Sequence, residues 1–143
     1  MSEPGFAEML GVEVVEWRDN YAEVALDLRR DLRNRSGSAH GGVLVTMLDI
    51  ACARAGIWFA EGEAPRFAST LSMSVSFMRP GKAGTLRAIG ECIAGGRTVF
   101  TCLGRVVDED GKVLALGQGV FRYRPGSERP LPSDAGSGST FGG

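Results

Sequence analysis

Hydrophobic and polar residues alternate over several short stretches of this chain. Between residues 21 and 28, Ala22, Val24, Leu26 and Leu28 fall on one face, and the residues between them fall on the other. A period of two is typical of a β-strand with one face on a core. The strands predicted from such patterns span residues 10–17, 21–28, 70–78, 85–94, 97–107 and 112–123.

A second pattern, nearly continuous hydrophobicity, occupies residues 43–60. Only Thr46, Asp49, Arg54 and Gly56 interrupt it, and a helix that is apolar on nearly all sides must be surrounded by protein or lipid. Lipid is the weaker alternative, because the run has about 18 residues and two charged groups near its middle would each cost roughly 2.5–3.5 kcal/mol in a bilayer. The pattern therefore predicts a long helix enclosed by the protein's own sheet.

The predicted order is two strands, one long helix and a four-stranded meander, which indicates an α+β fold. A twisted antiparallel sheet of about six strands is wide enough to curl around such a helix. In residues 70–78 the alternation predicts an apolar face packed on the helix, with Thr70 and the serines facing away. The packed residues would be Leu71, Met73, Val75 and Phe77 against Val43, Leu44, Met47 and Ile50. We expect residues 1–124 to form one domain and residues 125–143, rich in Gly, Ser and Pro, to form a disordered tail.

Composition narrows the functional classes. With 16 basic and 17 acidic residues among 143, the chain has no broad cationic character that would predict binding to nucleic acid or to an anionic membrane. The first residues lack the basic and apolar regions of a secretory signal, which predicts a cytoplasmic protein. Cys52, Cys92 and Cys102 form no Cys-x-x-Cys pair, and His40 is the single histidine. We therefore expect no disulfide framework and no metal centre, and we expect the thiols to be small buried hydrophobic groups.

The candidate chemistry is concentrated in residues 34–49. Asp49 is a carboxylate inside the apolar helix, and such a group must either line a polar cleft or be hydrogen-bonded. Gly41 and Gly42 lie where the helix begins, so their amides are at the positive end of the dipole and a ligand can approach them closely. Amides there can bind a developing oxyanion. Because Asp49 is two turns inside the helix, a site that combines both features is expected to use two chains.

Several of these residues resemble a known family. Asn34, His40-Gly41-Gly42, Asp49 nine residues after the histidine, and a strand ending Phe-Met-Arg-Pro together resemble the hotdog-fold acyl-CoA thioesterases, in particular the phenylacetate-pathway-type, 4-hydroxybenzoyl-CoA thioesterase-like group. The resemblance covers about residues 8–124. It implies a hotdog fold with active sites at the interface of a homodimer or dimer of dimers. It also implies an aryl- or medium-chain acyl-CoA substrate and no cofactor besides the coenzyme A of that substrate.

The resemblance also implies individual roles. Asp49 would act as nucleophile or general base beside Thr70, Gly41 would donate its N–H to the thioester oxygen, and Asn34 and His40 would position the thioester or the attacking water. The family usually takes Asp49 and Thr70 from one subunit and the other three residues from its partner. Contacts to the substrate and its coenzyme A would come from Gly42, Arg79, Lys82 and Arg97.

The residues alone leave alternatives open. Asp49 could be a structural residue bonded to a hydroxyl such as that of Thr46, and His40 could simply orient the loop. A triad using a serine of that loop is disfavoured because the chain lacks the Gly-x-Ser-x-Gly elbow, and Cys52 is more simply explained as a packed thiol. For the function, the alternatives are a hotdog enoyl-CoA hydratase or dehydratase and a non-catalytic acyl-CoA-binding module.

Overall fold

The sheet and central helix follow the predicted element order. The computed structural model describes residues 5–130. Its elements are α1 Phe6–Leu10, β1 Glu13–Arg18, β2 Tyr21–Asp27, a 3₁₀ turn at Arg30–Leu32, α2 Gly41–Gly56, β3 Ala68–Phe77, β4 Thr85–Gly95, β5 Val99–Val107 and β6 Val113–Tyr123. Within these residues, six strands form one antiparallel sheet in the order β1-β2-β4-β5-β6-β3, and α2 contacts every strand. The α+β hotdog architecture is thereby confirmed, with α1 as an element that the pattern did not predict.

The predicted four-stranded meander is wrong at β3. Strands β4, β5 and β6 pair in sequence, but β3 pairs with β6 and forms an edge of the sheet. Two hydrogen bonds fix the path out of β3: the Met78 amide donates to Leu114 O over 2.8 Å, and the Ala39 amide donates to Gly81 O over 2.7 Å. After β3 the chain therefore contacts the segment before α2 and then enters β4, which pairs with β2.

Helix α2 forms the centre of the core. Met47, Leu48, Ala51, Cys52 and Ala55 are completely buried and pack among side chains of the sheet. This burial explains why the sequence of the helix is hydrophobic on nearly all sides. Among the residues described, no helix is both long enough and apolar enough to cross a bilayer.

Helix α2 ends four residues earlier than the hydrophobic run predicted. A continuing helix would bond Gly56 O to the amide of Ala60, but that amide donates to Glu63 Oε1 over 2.7 Å. Gly56 O instead accepts from the Tyr123 hydroxyl over 2.6 Å and from Nη2 of Arg129 over 3.2 Å. Side chains from outside the helix therefore satisfy its terminal carbonyl.

The described part of the chain continues beyond the predicted domain end at residue 124. Ser127 is 8% exposed, and Nε of Arg129 donates to the Tyr123 hydroxyl over 2.7 Å. The packed domain therefore extends at least to Arg129, which lies in the predicted tail, residues 125–143. Residues 131–143 of that tail lie outside the described residues.

Three glycines form a row across the inner face of the sheet beneath α2. Gly90 of β4 lies directly opposite Gly104 of β5, which lies opposite Gly117 of β6. A Cβ atom built on Gly90 would lie 2.6 Å from the carbonyl carbon and oxygen of Ala51, and one built on Gly104 would lie 2.9 Å from Sγ of Cys52. The absence of side chains in this row lets the backbone of α2 lie directly against the sheet.

Strand β3 presents only part of the face that its alternation predicted. Its pairing with β6 shifts directly after Thr70, and an extra residue at such a β-bulge interrupts the alternation of faces. Thr70 consequently faces α2, whereas Leu71 is 54% exposed. Phe77, at the end of the strand, is 56% exposed. Of the four side chains predicted to pack on α2, only Met73 and Val75 pack against the core.

Candidate active site

His40 organises the start of α2. It is the N-cap residue, with φ −60° and ψ 136°, and its Nδ1 accepts a hydrogen bond from the Gly42 amide over 2.9 Å. Its carbonyl accepts from the Val43 amide over 2.9 Å, and its own amide donates to Leu32 O over 2.9 Å. Nδ1 must be unprotonated to accept, so in this arrangement the neutral ring carries its proton on Nε2. His40 thus fixes the geometry of the first turn.

The two glycines after His40 have different environments. The Gly42 amide is occupied by the His40 ring, which leaves it unable to donate to a ligand without losing that contact. The Gly41 amide has no acceptor among residues 5–130, and Gly41 lines an open pocket. An unpaired amide at the start of a helix lies at the positive end of the helix dipole, where it can bind a negatively charged atom. Gly41 is therefore the better candidate for binding an oxyanion.

Asn34 shapes the loop that precedes α2. Its Oδ1 accepts from the amides of Ser36 over 2.9 Å and Ser38 over 3.1 Å, and its own amide donates to Ser38 O over 2.7 Å. Its Nδ2 has no acceptor in the described part of the chain, and the residue lines the same pocket as Gly41. Asn34 can therefore hold the loop with its oxygen and offer a donor to a ligand with its nitrogen.

The pocket beside Gly41 has a volume of about 670 Å³ and lies between the loop before α2 and the segment after β3. Arg79 and Lys82, predicted to contact coenzyme A, line it together with Asn34 and Gly41. The fourth predicted contact residue is elsewhere: Arg97 lies between β4 and β5, where its carbonyl accepts from the Arg129 amide over 3.1 Å.

Asp49 lies in a second pocket. Its Oδ1 accepts a hydrogen bond from the Thr70 hydroxyl over 2.6 Å, a contact that depends on the β-bulge described above. Thr46, the alternative partner, instead donates to Gly42 O over 2.8 Å. The pocket has a volume of about 550 Å³ and is lined by Phe6, Ala7, Val45, Thr46, Asp49, Ile50, Thr70 and Met73. Asp49 is thus a half-buried carboxylate on an otherwise largely apolar surface.

One chain therefore brings the predicted site residues together in two separate groups. Asn34 and Gly41 line the first pocket, and Asp49 and Thr70 line the second. Gly41 and Asp49 are eight residues apart on one helix, about 12 Å along its axis at 1.5 Å per residue. A single carbonyl group cannot contact both residues of the same chain.

The other candidate nucleophiles, a serine of the loop before α2 and Cys52, are less well placed than Asp49. His40 Nδ1 is bonded to the Gly42 amide and Asp49 to Thr70, so a chain of hydrogen bonds from a serine through histidine to aspartate is not formed. Burial, with smaller contributions from Cys92 and Asp49, raises the pKa of the Cys52 thiol to about 12, and a neutral thiol is a poor nucleophile. Within residues 5–130, no group of three or more His, Cys, Asp or Glu side chains is arranged to hold a metal ion.

Sequence reasoning missed the contribution of α1 to the Asp49 pocket. Phe6 and Ala7 line this pocket, but five residues are too few to show a helical period. The available signal was Gly11, which follows Leu10 and closes α1 with φ 85°, the left-handed conformation common after a helix end.

The sequence of this chain is similar to those of known thioesterases. The family model described as the thioesterase superfamily matches residues 36–115. The acyl-coenzyme A thioesterase PaaI of Escherichia coli is 29% identical over 114 residues, which cover 79% of this chain and 78% of that protein.

Two solved structures show the same fold. A protein from Pseudomonas aeruginosa superposes with a TM-score of 0.77 at 29% identity, covering 85% of this chain and 95% of that chain. A protein from Thermus thermophilus superposes with a TM-score of 0.73 at 34% identity, covering 85% of this chain and 98% of that chain. Since the family model spans more than half of the sequence, including all of α2, this chain belongs to the thioesterase superfamily.

Proposed function

We propose that this chain hydrolyses the thioester bond of an acyl-CoA to give a free acid and coenzyme A. The observation that carries the proposal is the Asp49 carboxylate, which is hydrogen-bonded to Thr70 and lines a largely apolar pocket beside the central helix. A carboxylate in such a place can attack a carbonyl carbon or remove a proton from water. Membership of the superfamily and the activity of the E. coli relative, an acyl-coenzyme A thioesterase, support the same reaction.

In this mechanism Asp49 supplies the attacking oxygen or activates the water that attacks, and Gly41 stabilises the charge that develops. Attack on the thioester carbon places negative charge on the carbonyl oxygen, which the unpaired Gly41 amide can bind. Thr70 donates to one oxygen of Asp49, so the other oxygen is available. When the tetrahedral intermediate collapses, the C–S bond breaks and the sulfur leaves as the thiolate of coenzyme A. Direct attack would give an acyl-aspartate anhydride that water then hydrolyses, whereas general-base attack by water gives the acid in one step.

Asn34 and His40 have supporting roles in the proposal. The free Nδ2 donor of Asn34 can bind the thioester or the attacking water, while its Oδ1 holds the loop. His40 Nδ1 binds the Gly42 amide, which keeps the first turn of α2 in the geometry that leaves the Gly41 amide free.

In this proposal the complete site is built from two copies of the chain. The support for it is that the Gly41 and Asp49 groups of one chain lie in different pockets. Strand β3 offers a surface for this assembly. It is an edge strand of ten residues, and an exposed edge of that length is a ready template for pairing with another strand. We propose a homodimer, alone or within a dimer of dimers, in which Gly41, Asn34 and His40 of one copy meet Asp49 and Thr70 of the other.

The coenzyme A part of the substrate is proposed to lie along the pocket beside Gly41. Arg79 and Lys82 line that pocket and are exposed, so they can pair with phosphate groups. Arg97, between β4 and β5, and Gly42, whose amide is already bonded, are retained as weaker candidates for contacts with the substrate.

The test is thiol release from a panel of aryl- and alkyl-CoA thioesters by wild type and Asp49→Asn. We expect the substitution to lower kcat at least about 10²-fold, as for loss of a catalytic acid–base group. Asp27→Asn is the matched control, because Asp27 also accepts a hydrogen bond of 2.6 Å from a threonine, Thr85, and lies outside both pockets. Full activity of Asp49→Asn would remove Asp49 from the mechanism. Product formation without free thiol would indicate a hydratase, and tight binding without turnover would indicate a binding module.

The shared site has its own test. Asp49→Asn and Gly41→Pro chains are co-expressed with different affinity tags, and the mixed dimer is isolated by two successive purifications. In a symmetric dimer with shared sites, one of the two sites then contains both wild-type residues, so we expect about half of the wild-type activity. An inactive mixed dimer would show that each site is built from a single chain.

A further inference from the structure

Helix α1 lies beside the Asp49 pocket and contributes Phe6 to its lining. The Phe6 side chain is 59% exposed, so it does not serve as a core residue. It also takes no part in the hydrolysis proposed above. Its ring instead adds an exposed aromatic surface to the lining of the Asp49 pocket.

The position of Phe6 is fixed by the rest of α1. Ala7 and Leu10 are each 7% exposed and pack on the core. The Arg29 guanidinium donates from Nη1 to Leu10 O over 2.5 Å and from Nη2 to Met9 O over 2.9 Å. These contacts attach α1 to the rest of the domain. The Phe6 ring is thereby held beside the Asp49 pocket.

The lining of this pocket suits an uncharged, apolar group. Asp49 is its one charged residue, and apart from Thr46 and Thr70 the remaining lining residues are hydrophobic. When Asp49 approaches the carbonyl carbon of a thioester, the rest of the pocket is available to the acyl group. A pocket of about 550 Å³ is much larger than an acetyl group, so only larger acyl groups can reach the rim where Phe6 lies.

We propose that Phe6 is a specificity-determining residue that contacts the acyl group and favours aromatic acyl groups over short ones. The inference rests on the proposed function, because it takes the Asp49 pocket as the acyl site. An aromatic acyl group can pack against the Phe6 ring in an offset or edge-to-face arrangement, which contributes beyond simple burial. An acetyl group ends before the rim and gains nothing from Phe6.

The experiment compares kcat/KM for phenylacetyl-CoA and acetyl-CoA in wild type, Phe6→Ala and Met9→Ala. Met9 is the matched control, because it lies on the same helix and is 65% exposed but is not among the residues lining the pocket. We expect Phe6→Ala to lower kcat/KM for phenylacetyl-CoA roughly tenfold, to leave acetyl-CoA unchanged, and Met9→Ala to change neither. Equal changes for both substrates, or the same change in Met9→Ala, would overturn the proposal.

A binding measurement separates this inference from the proposed hydrolysis. Non-hydrolysable thioether analogues of coenzyme A, one with an aryl group and one with a methyl group, are titrated into wild type and Phe6→Ala by calorimetry. A preference for the aryl analogue that disappears in Phe6→Ala supports the inference even if wild type releases no thiol, in which case only the hydrolase function fails. If wild type binds both analogues equally, or binds neither, Phe6 does not determine specificity, whatever the hydrolysis assay gives.

Discussion

Replacing Gly41 by proline would remove one amide hydrogen from the proposed oxyanion site with little change to the backbone. Gly41 is the first residue of α2, the helical position where proline is best accommodated. The preceding residue, His40, has φ −60° and ψ 136°, an extended conformation that is compatible with a following proline. Because the Gly41 amide has no acceptor among residues 5–130, no hydrogen bond of the described structure is lost.

The expected effect is therefore large on the rate and small on stability. Loss of one oxyanion donor costs about 2.7–4 kcal/mol, which corresponds to a fall in kcat of roughly 10²–10³-fold. Gly41→Ala is the matched control, because it adds a Cβ atom but keeps the N–H. That Cβ would lie 3.3 Å from Cε1 of Phe77, whose side chain is 56% exposed and can move aside. We expect Gly41→Ala to lose less than about tenfold, or 1.4 kcal/mol.

The assay is steady-state thiol release with kcat and KM determined separately, and thermal unfolding by circular dichroism checks the fold. The proposed role of the Gly41 amide is refuted if Gly41→Pro has both the melting temperature and the kcat of Gly41→Ala. That result would mean that the Gly41 amide does not bind the oxygen on which charge develops. A fall in kcat together with a loss of folded protein would instead show that the proline disturbs the start of α2, contrary to the backbone argument.

Three further substitutions test the site and the core. Asn34→Asp keeps an oxygen for the loop amides but removes the Nδ2 donor, so we expect kcat/KM to fall about tenfold or more with little change in melting temperature. Gly90→Ala places a methyl group against the backbone of Ala51, and we expect a loss of about 1–3 kcal/mol in denaturant unfolding. Above pH 9.0, the ordinary pKa of the Cys52 thiol, the unfolded state releases a proton that the buried thiol retains. The contribution of Cys52 should therefore lower the free energy of unfolding by up to about 1.4 kcal/mol per pH unit, with a shallower fall in Cys52→Ala. The hydrogen bond with the Cys92 thiol, together with burial, also raises the pKa of Cys102, so part of the slope should remain in Cys52→Ala.

Other results would contradict the roles proposed for Asn34, Gly90 and Cys52. An active Asn34→Asp enzyme would limit Asn34 to holding the loop. Wild-type stability in Gly90→Ala would mean that α2 can move away from the sheet without cost. An identical pH dependence of stability in wild type and Cys52→Ala would show that the buried thiol does not contribute to it.

Short-range patterns in the sequence predicted much of the architecture. The alternation in residues 21–28 matches the observed burial of Ala22, Val24 and Leu26. The start of α2 at Gly41 agrees with the expectation that Gly41 and Gly42 lie where the helix begins. These features depend on neighbouring residues along the chain, so a single sequence carries the information.

The features that the pattern missed depend on contacts between distant segments. Strand β3 lies at the sheet edge because the chain after it is hydrogen-bonded to β6 and to the loop before α2. The β-bulge after Thr70 exists only in the pairing with β6, yet it decides whether Thr70 can reach Asp49. Alternation alone assigned Thr70 to the opposite face, although the family resemblance placed it near the acid.

The contact between Arg129 and the end of α2 determines how far this chain can be shortened. A protein truncated after residue 124 would keep all six strands of the described structure, but Gly56 O would lose its contact with Arg129 and the Tyr123 hydroxyl would lose its donor. We expect such a truncation to lower the melting temperature, whereas truncation after residue 130 would retain both contacts. The last strand therefore does not mark the C-terminal limit of a stable fragment, because an arginine beyond it binds the end of the central helix.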